Sequence, residues 1–498
     1  MTRLPHGAPV YRTDEIRRIE VSAASQDEPP QLMERAGLAA AELAREIATD
    51  KGTKIAVLAG PGNNGGDALV LARHLKRWWF DVTVTFTGDR ARLSADAGAA
   101  FDAWRAAGGT VTSELPAASA HALVVDGLFG IGLQRDLAER YAELVGWIND
   151  ARVPVIALDV PSGIESDSGR ILGCAVRAAH TITFIALKPG LLTLEGPEHS
   201  GRVHVADLGL DTKALLPPRG SVIGAETLRS VLPKRRWNSH KGSFGSVGII
   251  GGTAGMTGAA LLAGRAALKL GAGRVYVGFM SDDAPVIDSV QPELMLRSAR
   301  DMLGLDHLTC VAVGPGLGQS DDARALLRAA AATSTPLVLD ADALNLLATE
   351  KGVRFALSSR SAPTLLTPHP AEAARLLGCR TADIQRDRVG AAVRLAKTFK
   401  SGVVLKGAGS ACAWPDGGWA INTSGNPGMA SAGMGDVLTG ILAALLSQGA
   451  PPQDALVAGV YLHGAAADAL TGDDVGPVGL TAGETIDRAR RLLNDALR

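Results

Sequence analysis

The chain has 498 residues, of which 46% are hydrophobic and only 4% aromatic, and its formal net charge is −1. This length predicts two or more domains. Because positive and negative residues balance, the overall charge does not indicate binding to nucleic acid or to an anionic membrane. Its cysteines are far apart and form no CxxC pair, which argues against a disulfide framework or a zinc site and predicts a reducing, cytoplasmic compartment. Met1–Tyr11 has no apolar core, so no secretory signal is expected.

The first half of the chain alternates helix and strand patterns. Two helices are predicted within Thr13–Asp50, with a break near Pro29. A buried strand at Lys54–Ala59 runs into the glycine-rich loop Gly60–Asp67, and a helix follows at Ala68–Trp79. Further strands of this half are predicted at Val82–Phe86, Ala122–Asp126, Val153–Val160, Thr181–Phe184 and near Val203. Further helices are predicted around Ser94–Ala107 and at Ala138–Asp150. This alternation predicts a mostly parallel sheet covered on both faces, whose ligands bind at the carboxyl ends of the strands.

Three polar stretches fall at strand ends of this half: Gly62–Asp67, Asp126–Leu133 and Asp159–Gly163. The first lacks the GxGxxG spacing, and its two Asn side chains suit a polar ligand or a cation, with a capped glycine turn as the alternative. Asp126 and Ser162 offer further oxygen ligands, in a mixture that suits a monovalent ion. Asp159 ends a strand before Pro161, and it is either a turn former or a catalytic acid/base.

The alternating pattern dissolves around Asp211–Gly224, which is typical of a linker, and we place a domain boundary near residue 215. The predicted domains are therefore 1–215 and 216–498. A second α/β series follows, with no fixed repeat linking it to the first. Its predicted strands are Ser246–Ile250, Arg274–Gly278, Cys310–Val313, Pro336–Asp340, Thr364–Thr367 and Val403–Lys406, followed by a hairpin through Ala411–Ile421. Its predicted helices are Ala259–Leu270, Asp321–Ala332, Ala371–Leu377 and one after Asp436.

Loops of the second half carry several candidate ligand contacts. Gly314–Gly318 follows a strand and is either a tight turn or a ligand-facing loop. His369, held between two prolines, is either structural or a ligand contact, and Glu372 is a first-turn acid. Lys406–Ser410 lies at a strand end in a position that suits a nucleotide, although this motif alone is weak.

The segment Asn426–Asp436 is rich in glycine and precedes an apolar helix. Its backbone N–H groups can approach an anion closely, and the helix N-terminus adds positive potential, so phosphate is the expected ligand. Asp436 at the junction either caps the helix or takes a proton from a hydroxyl beside that phosphate. A GxxxxGK[ST] P-loop is absent.

Motifs in both halves resemble known families and together cover nearly the whole chain. The first half resembles the NAD(P)H-hydrate epimerase family through GPGNNGGDALV at 60–70, DGLFGIGLQRD at 126–136 and LDVPSG at 158–163. The second half resembles the ADP/ATP-dependent NAD(P)H-hydrate dehydratase family through HKGSFGSVGIIGG at 240–252, GMTGAALLA at 255–263, GPGLG at 314–318, LDADALNLL at 339–347, TPHPAE at 367–372, KGAGS at 406–410 and NPGMASAGMGD at 426–436. The implied fold class is α/β, with a Rossmann-like three-layer α/β/α domain followed by a ribokinase-like α/β/α domain.

For the first domain, the resemblance implies interconversion of the R and S hydrates of NAD(P)H, with Asp159 as the acid/base. It implies a potassium ion held by Asn63 or Asn64 together with Asp126 and Ser162. The implied hydrate contacts are Asn63, Asn64, Gly65, Gly66, Asp67, Gly130, Ile131, Gly132, Leu133, Gln134, Arg135, Asp136, Tyr141 and Asp159.

For the second domain, the resemblance implies dehydration of the S hydrate with ADP, through phosphorylation of the C6 hydroxyl by way of Asp436 and loss of phosphate. The implied nucleotide contacts are Lys406, Gly407, Ala408, Gly409, Ser410, Asn426, Gly433, Met434 and Gly435, and the implied hydrate contacts are Ala260, Gly318, His369 and Asp436. Mg²⁺ is expected on the phosphates, and a homo-oligomer is expected. Two alternatives remain: a ribokinase-like small-molecule kinase fused to an accessory α/β binding domain, and a first domain that acts only as a scaffold.

Overall fold

The computed structural model describes residues 4–50, 52–117, 121–472 and 476–498. They form two compact units, one within Ala8–Arg219 and the other comprising Gly220–Arg498 with Leu4–Gly7. The division lies close to the boundary predicted near residue 215.

The first unit is built on a seven-stranded parallel sheet of order β4-β3-β2-β5-β6-β7-β8. Its strands are β1 (Pro9–Val10), β2 (Lys54–Ala59), β3 (Asp81–Phe86), β4 (Val111–Thr112), β5 (Leu123–Gly127), β6 (Val155–Leu158), β7 (His180–Phe184) and β8 (Arg202–Ala206), of which β1 lies outside this sheet. Its helices are α1 (Thr13–Ala24), α2 (Leu32–Ile47), α3 (Asn63–Arg77), α4 (Ala95–Ala106), α5 (Arg140–Asp150), α6 (Gly196–Ser200) and α7 (Thr212–Leu215).

Alternate residues of β2 face two different cores. Ile55 and Val57 join the core formed with α1 to α4, whereas Ala56 and Leu58 join the core beneath α5. Because successive side chains of a strand point to opposite faces, a central strand covered by helices on both faces must be apolar throughout. The predicted parallel sheet with two covered faces is confirmed.

Helix α3 begins at Asn63, so the prediction of a loop through Asp67 and a helix from Ala68 is wrong. The glycines are the physical reason. A Cβ on Gly65 would lie 2.0 Å from the carbonyl oxygen of Gly60, so only glycine lets the first helical turn pack against the end of β2. The two Asn residues therefore occupy the helix N-terminus.

The second unit is built on a sheet of order β9-β18-β17-β16-β15-β14-β13-β10-β11-β12, in which only β17 runs antiparallel to its neighbours. The strands are β9 (Gly220–Ile223), β10 (Ser246–Gly251), β11 (Arg274–Phe279), β12 (Met295–Ser298), β13 (Cys310–Val313), β14 (Leu337–Leu339), β15 (Thr364–Leu366), β16 (Gly402–Leu405), β17 (Ser410–Ala413) and β18 (Trp419–Asn422). The helices are α8 (Thr257–Lys269), α9 (Asp321–Ala332), α10 (Asp342–Thr349), α11 (Lys351–Ser359), α12 (Pro370–Leu377), α13 (Thr381–Arg386), α14 (Arg388–Phe399), α15 (Met434–Ser447), α16 (Pro452–Gly472) and α17 (Ala482–Ala496).

Helix α15 lies at the centre of the main core of this unit. Nearly all of its residues are buried, and it packs with α8, α16 and α17 against alternate residues of β10, such as Val247 and Ile249. Helix α14 packs on β16 and β17. The predicted α/β series is confirmed for this unit as well.

The prediction that the segment Asp211–Gly224 is a linker holds only for residues 216–219, where the two units divide. The segment contains α7 on one side of these residues and the strand β9 on the other, and β9 pairs with β18 in parallel. At Gly220 a Cβ would lie 2.1 Å from the Trp419 ring, so this glycine is a packing position within a strand. A four-residue strand flanked by prolines and glycines gives too short a pattern to be recognised.

All four cysteines are free thiols, which confirms that they form no disulfide. Cys310 and Cys412 lie in the core, on β13 and β17 of the second sheet. Among the described helices, none combines the length and the apolar character needed to span a bilayer.

Candidate active sites

In the first unit, Asp159 follows β6 in the left-handed backbone region, with φ at 65°. Its carboxylate pairs with Lys188, whose Nζ lies 2.5 Å from Asp159 Oδ1, and both side chains are buried. Its other oxygen, Oδ2, accepts a hydrogen bond from the Ile131 N–H at 3.1 Å. The sequence analysis missed Lys188, although a single lysine inside the apolar run at 184–192 is itself a sign of a buried charge.

Two further acids share this region. Burial, together with the negative charges of Asp159 and Glu20, raises the pKa of Asp67 well above its usual value. Burial and Asp159 also raise the pKa of Glu20, on α1. Burial and like charges thus favour the protonated form of Asp67, whereas Asp159 is paired with an ammonium group.

Asn64, Asp126 and Ser162 are buried at the adjoining strand ends. Burial raises the pKa of Asp126 to about 6, and its oxygens accept hydrogen bonds from the Ser162 N–H at 2.8 Å and the Ser162 hydroxyl at 2.7 Å. The amide oxygen and nitrogen of Asn64 are buried with no hydrogen-bond partner among the described residues. By contrast, Asn63 is exposed and accepts a hydrogen bond from the Ser94 hydroxyl.

The loop after β5 connects these groups. A Cβ on Gly130 would lie 2.7 Å from Asp159 Oδ2 and 3.3 Å from Asn64 Oδ1, so the three residues converge. The Tyr141 ring packs edge-on against Phe129, with 4.8 Å between the ring centroids. Of the remaining predicted contacts in this loop, Leu133 is buried, whereas Gly132, Gln134, Arg135 and Asp136 are exposed.

In the second unit, Lys406 Nζ lies 2.8 Å from Asp340 Oδ1, and the Thr439 hydroxyl donates to Asp340 Oδ2 at 2.9 Å. Burial alone would raise the pKa of Asp340, but the Lys406 ammonium outweighs it and lowers that pKa. A Cβ on Gly435 would lie 3.2 Å from Lys406 Nζ, so the lysine lies directly beneath the glycine-rich loop. The sequence analysis did not assign Asp340 or Thr439 to the site.

Asp436 lies in the first turn of α15 and does not cap it. The N-cap is Gly433, whose φ of 89° suits glycine, and it makes no side-chain capping bond. The carboxylate of Asp436 is half-buried and has no hydrogen-bond or ion-pair partner among the described residues. Burial and the nearby Asp340 raise its pKa to about 7, against the opposing effect of Lys406.

His369 is the N-cap of α12, and its Nδ1 accepts hydrogen bonds from the N–H groups of Ala371 and Glu372. Burial lowers the pKa of His369, with further contributions from Lys406, and burial raises the pKa of Glu372 to about 7. The charge of Lys406 therefore acts on the pKa values of both His369 and Glu372. The site places a neutral imidazole beside an acid that titrates near neutrality.

The other predicted contacts of this unit surround the same loops. Arg388, which the sequence analysis missed, is buried and donates to the carbonyls of Leu405 and Lys406, which braces the 406–410 loop. Ser410 donates across that loop to Gly407, and Asn426 donates to Asp468. Of the predicted hydrate contacts, Ala260 is buried and the Gly318 N–H donates to Asp342. In the parts of the chain that the structure describes, no group of three or more His, Cys, Asp or Glu side chains is arranged to hold a metal.

Comparison with known families covers both units. Residues 247–487 match the family described as NAD(P)H-hydrate dehydratase, and residues 29–190 match the family described as YjeF-related protein N-terminus. The chain is 40% identical over 502 residues to the bifunctional NAD(P)H-hydrate repair enzyme Nnr of Escherichia coli, with 99% of this chain and 95% of that protein covered. It is also 40% identical to the protein of the same name from Coxiella burnetii, with 97% and 99% covered. Among solved structures, it is similar to the ADP/ATP-dependent NAD(P)H-hydrate dehydratase from Bacillus subtilis co-crystallized with ATP/Mg²⁺, with 32% identity, a TM-score of 0.49 and coverage of 55% of this chain and 98% of that one.

Proposed function

Because the chain belongs to the family of bifunctional NAD(P)H-hydrate repair enzymes, we propose that its first unit epimerises hydrated NAD(P)H through Asp159 and that its second unit dehydrates the S hydrate through Asp436. The observation that carries this proposal is the Asp436 carboxylate in the first turn of α15, which has no hydrogen-bond or ion-pair partner among the described residues and lies near the partly buried Lys406. A base is useful there only if a hydroxyl and a phosphoryl group meet at that loop.

In the first unit, epimerisation requires the C6–O bond to break and to form again on the other face of the ring. The departing hydroxyl needs a proton, and the returning water must lose one. Asp159, fixed by Lys188 and Ile131, would exchange this proton. The convergence of Asp159 with Gly130 supports the loop at 130–136 as the place where the hydrate binds.

A potassium ion fits the pocket of Asn64, Asp126 and Ser162. A buried carboxylate and an amide oxygen without a hydrogen-bond partner are groups that a monovalent cation satisfies at low desolvation cost. When bound, the ion would supply a fixed positive charge to the hydrate-binding loop. Between the two asparagines, burial favours Asn64 as the ligand.

We expect Asn64→Leu to raise the K⁺ concentration for half-maximal epimerisation by at least about tenfold, because it removes the buried amide oxygen. The matched variant Asn63→Leu should leave that K⁺ concentration within about twofold of the parent, since Asn63 is exposed. Titrating K⁺ into each protein in a sodium-free buffer, with the R hydrate as substrate, measures both. An unchanged K⁺ requirement in Asn64→Leu would rule out Asn64 as a ligand.

In the second unit, Asp436 would take the proton of the C6 hydroxyl as that oxygen attacks the terminal phosphorus of ADP, which releases AMP. The backbone N–H groups at 433–435 and Lys406 lie where they would stabilise the charge on the phosphoryl oxygens. The C6–O bond then breaks with phosphate as the leaving group, and C5 loses a proton to restore NAD(P)H. Hydroxide is a poor leaving group and phosphate a good one, which explains the use of a nucleotide by a lyase. Mg²⁺ would arrive on the nucleotide phosphates and neutralise part of their charge.

The dehydration rate should depend on pH through Asp436. Its pKa is raised to about 7, and only the ionised carboxylate accepts a proton, so kcat should rise with pH through about 7 and fall about tenfold per unit below it. Glu372 also has a pKa of about 7, so the profile is compared with that of Glu372→Gln. We expect Glu372→Gln to keep the acidic limb, and a limb that disappears in this variant would assign it to Glu372.

The whole proposal is tested by incubating the full chain with R-enriched hydrate and ADP, and with ATP in parallel, while following the absorbance of NADH. We expect NADH to appear with a nucleotide and not without one. A phosphorylated product without NADH would identify a kinase instead. The use of ADP and the assembly into a homo-oligomer remain predictions.

A further inference from the structure

We propose that Lys188 is a positioning residue of the epimerase site, which holds Asp159 by one oxygen so that its other oxygen faces the hydrate loop. The inference rests on the proposed role of Asp159. Lys188 Nζ contacts Asp159 Oδ1 at 2.5 Å, the Thr183 hydroxyl at 2.9 Å and the Phe184 carbonyl at 2.7 Å.

These contacts use all three donors of the ammonium group. Only 1% of the Lys188 side chain is exposed, so no donor is left for a ligand and no solvent path leads to it. Lys188 therefore does not bind the hydrate itself. Its effect on the reaction must pass through the groups that it touches.

The contacts also tie two strand ends together. Asp159 follows β6, whereas Thr183 and Phe184 end the neighbouring strand β7. Both strand ends have unusual backbone, since Asp159 has φ at 65° and Ile185, directly after Phe184, has φ at 68°. Left-handed backbone at such residues persists only when the surroundings fix it, and the Lys188 bridge provides that constraint.

The two oxygens of Asp159 are consequently not equivalent. Oδ1 is occupied by Lys188, whereas Oδ2 lies against the loop after β5, where it accepts from Ile131 and where Gly130 leaves room that a Cβ would fill. Removing one member of a buried ion pair leaves an uncompensated charge and frees the other to rotate. Lys188 thus selects the oxygen that meets the substrate.

The test uses the full chain, which reports on both units. We expect Lys188→Met to lower kcat for R-to-S conversion by about 100-fold and to change KM by less than about threefold, because Lys188 orients the reacting oxygen without binding the substrate. Dehydration of the S hydrate serves as the internal control. Lys76→Met, on the exposed side of α3, is the matched control and should match the parent in both reactions.

Two further variants keep the test decisive if Lys188→Met folds poorly. Thr183→Val keeps the ion pair and removes one acceptor, and it should lower kcat by about tenfold with a smaller fall in the thermal transition than Lys188→Met, because both charges remain paired. Adding Lys188→Met to Asp159→Asn should cost less than about twofold more, because Lys188 acts through Asp159. Additive losses, or a normal kcat in Lys188→Met, would overturn the inference while leaving Asp159 in place. A normal rate in Asp159→Asn alone would instead overturn the proposed function.

Discussion

Asp436→Asn is expected to lower the rate of S-hydrate dehydration by at least about 10³-fold and to leave R-to-S epimerisation intact. The substitution keeps the shape of the side chain but removes the group that accepts the hydroxyl proton, and general-base removal typically costs about 10²–10⁴-fold. The loss should be in kcat, because the Asp436 carboxylate contacts none of the residues that brace the nucleotide loops. Stopped assays of NADH formation with purified S hydrate and saturating ADP measure it.

The matched control for this prediction is Asp454→Asn. Asp454 is likewise an acid in the first turn of a helix, α16, but it is exposed where Asp436 is half-buried, so it keeps only the favourable interaction with a helix N-terminus. Asp454→Asn should dehydrate the S hydrate at the parent rate. The comparison then separates the loss of proton transfer from the loss of an acid near a helix N-terminus. Dehydration within about tenfold of the parent in Asp436→Asn would mean that another group, such as Glu372, is the base.

Local sequence patterns predicted most of the fold because they depend on neighbouring residues. The strand Lys54–Ala59 and the helix Asp321–Ala332 are found with the predicted bounds, since an apolar run and an amphipathic repeat each signal burial directly. The start of α3 was mispredicted because glycines lower helix propensity, whereas close packing of Gly65 against Gly60 overrides that preference. Tertiary contacts decided the outcome there.

The partners of the charged residues could not be predicted, because they come from distant parts of the chain. Lys406 meets Asp340 across 66 residues, and Lys188 meets Asp159 across 29. No periodicity encodes such a pairing, which depends on strand order in the sheet. The sequence motifs indicated that Asp436 is a cap or a base, and only the structure shows that the cap is Gly433 and that the Asp436 carboxylate has no hydrogen-bond partner among the described residues.

Asp159→Asn is expected to lower the rate of enzymatic R-to-S epimerisation by at least about 10²-fold, while S-hydrate dehydration continues at the parent rate. The amide keeps an oxygen that Lys188 can contact, but it neither releases nor accepts the proton that the hydroxyl exchange requires. With R-enriched hydrate and ADP, the slow epimerisation should limit NADH formation by the variant, and adding the separate variant Asp436→Asn should restore the full rate.

This complementation makes the prediction specific, because each variant lacks one activity and supplies the other. Asp150→Asn, an exposed acid at the end of α5, is the matched control and should convert both hydrates normally. If Asp159→Asn lost both activities, the two sites would not be independent, and the assignment of one acid/base to each unit would be wrong. If the mixture of the two variants restored NADH formation, each site would be shown to work without the other, since the hydrate would have to leave one chain and bind the next.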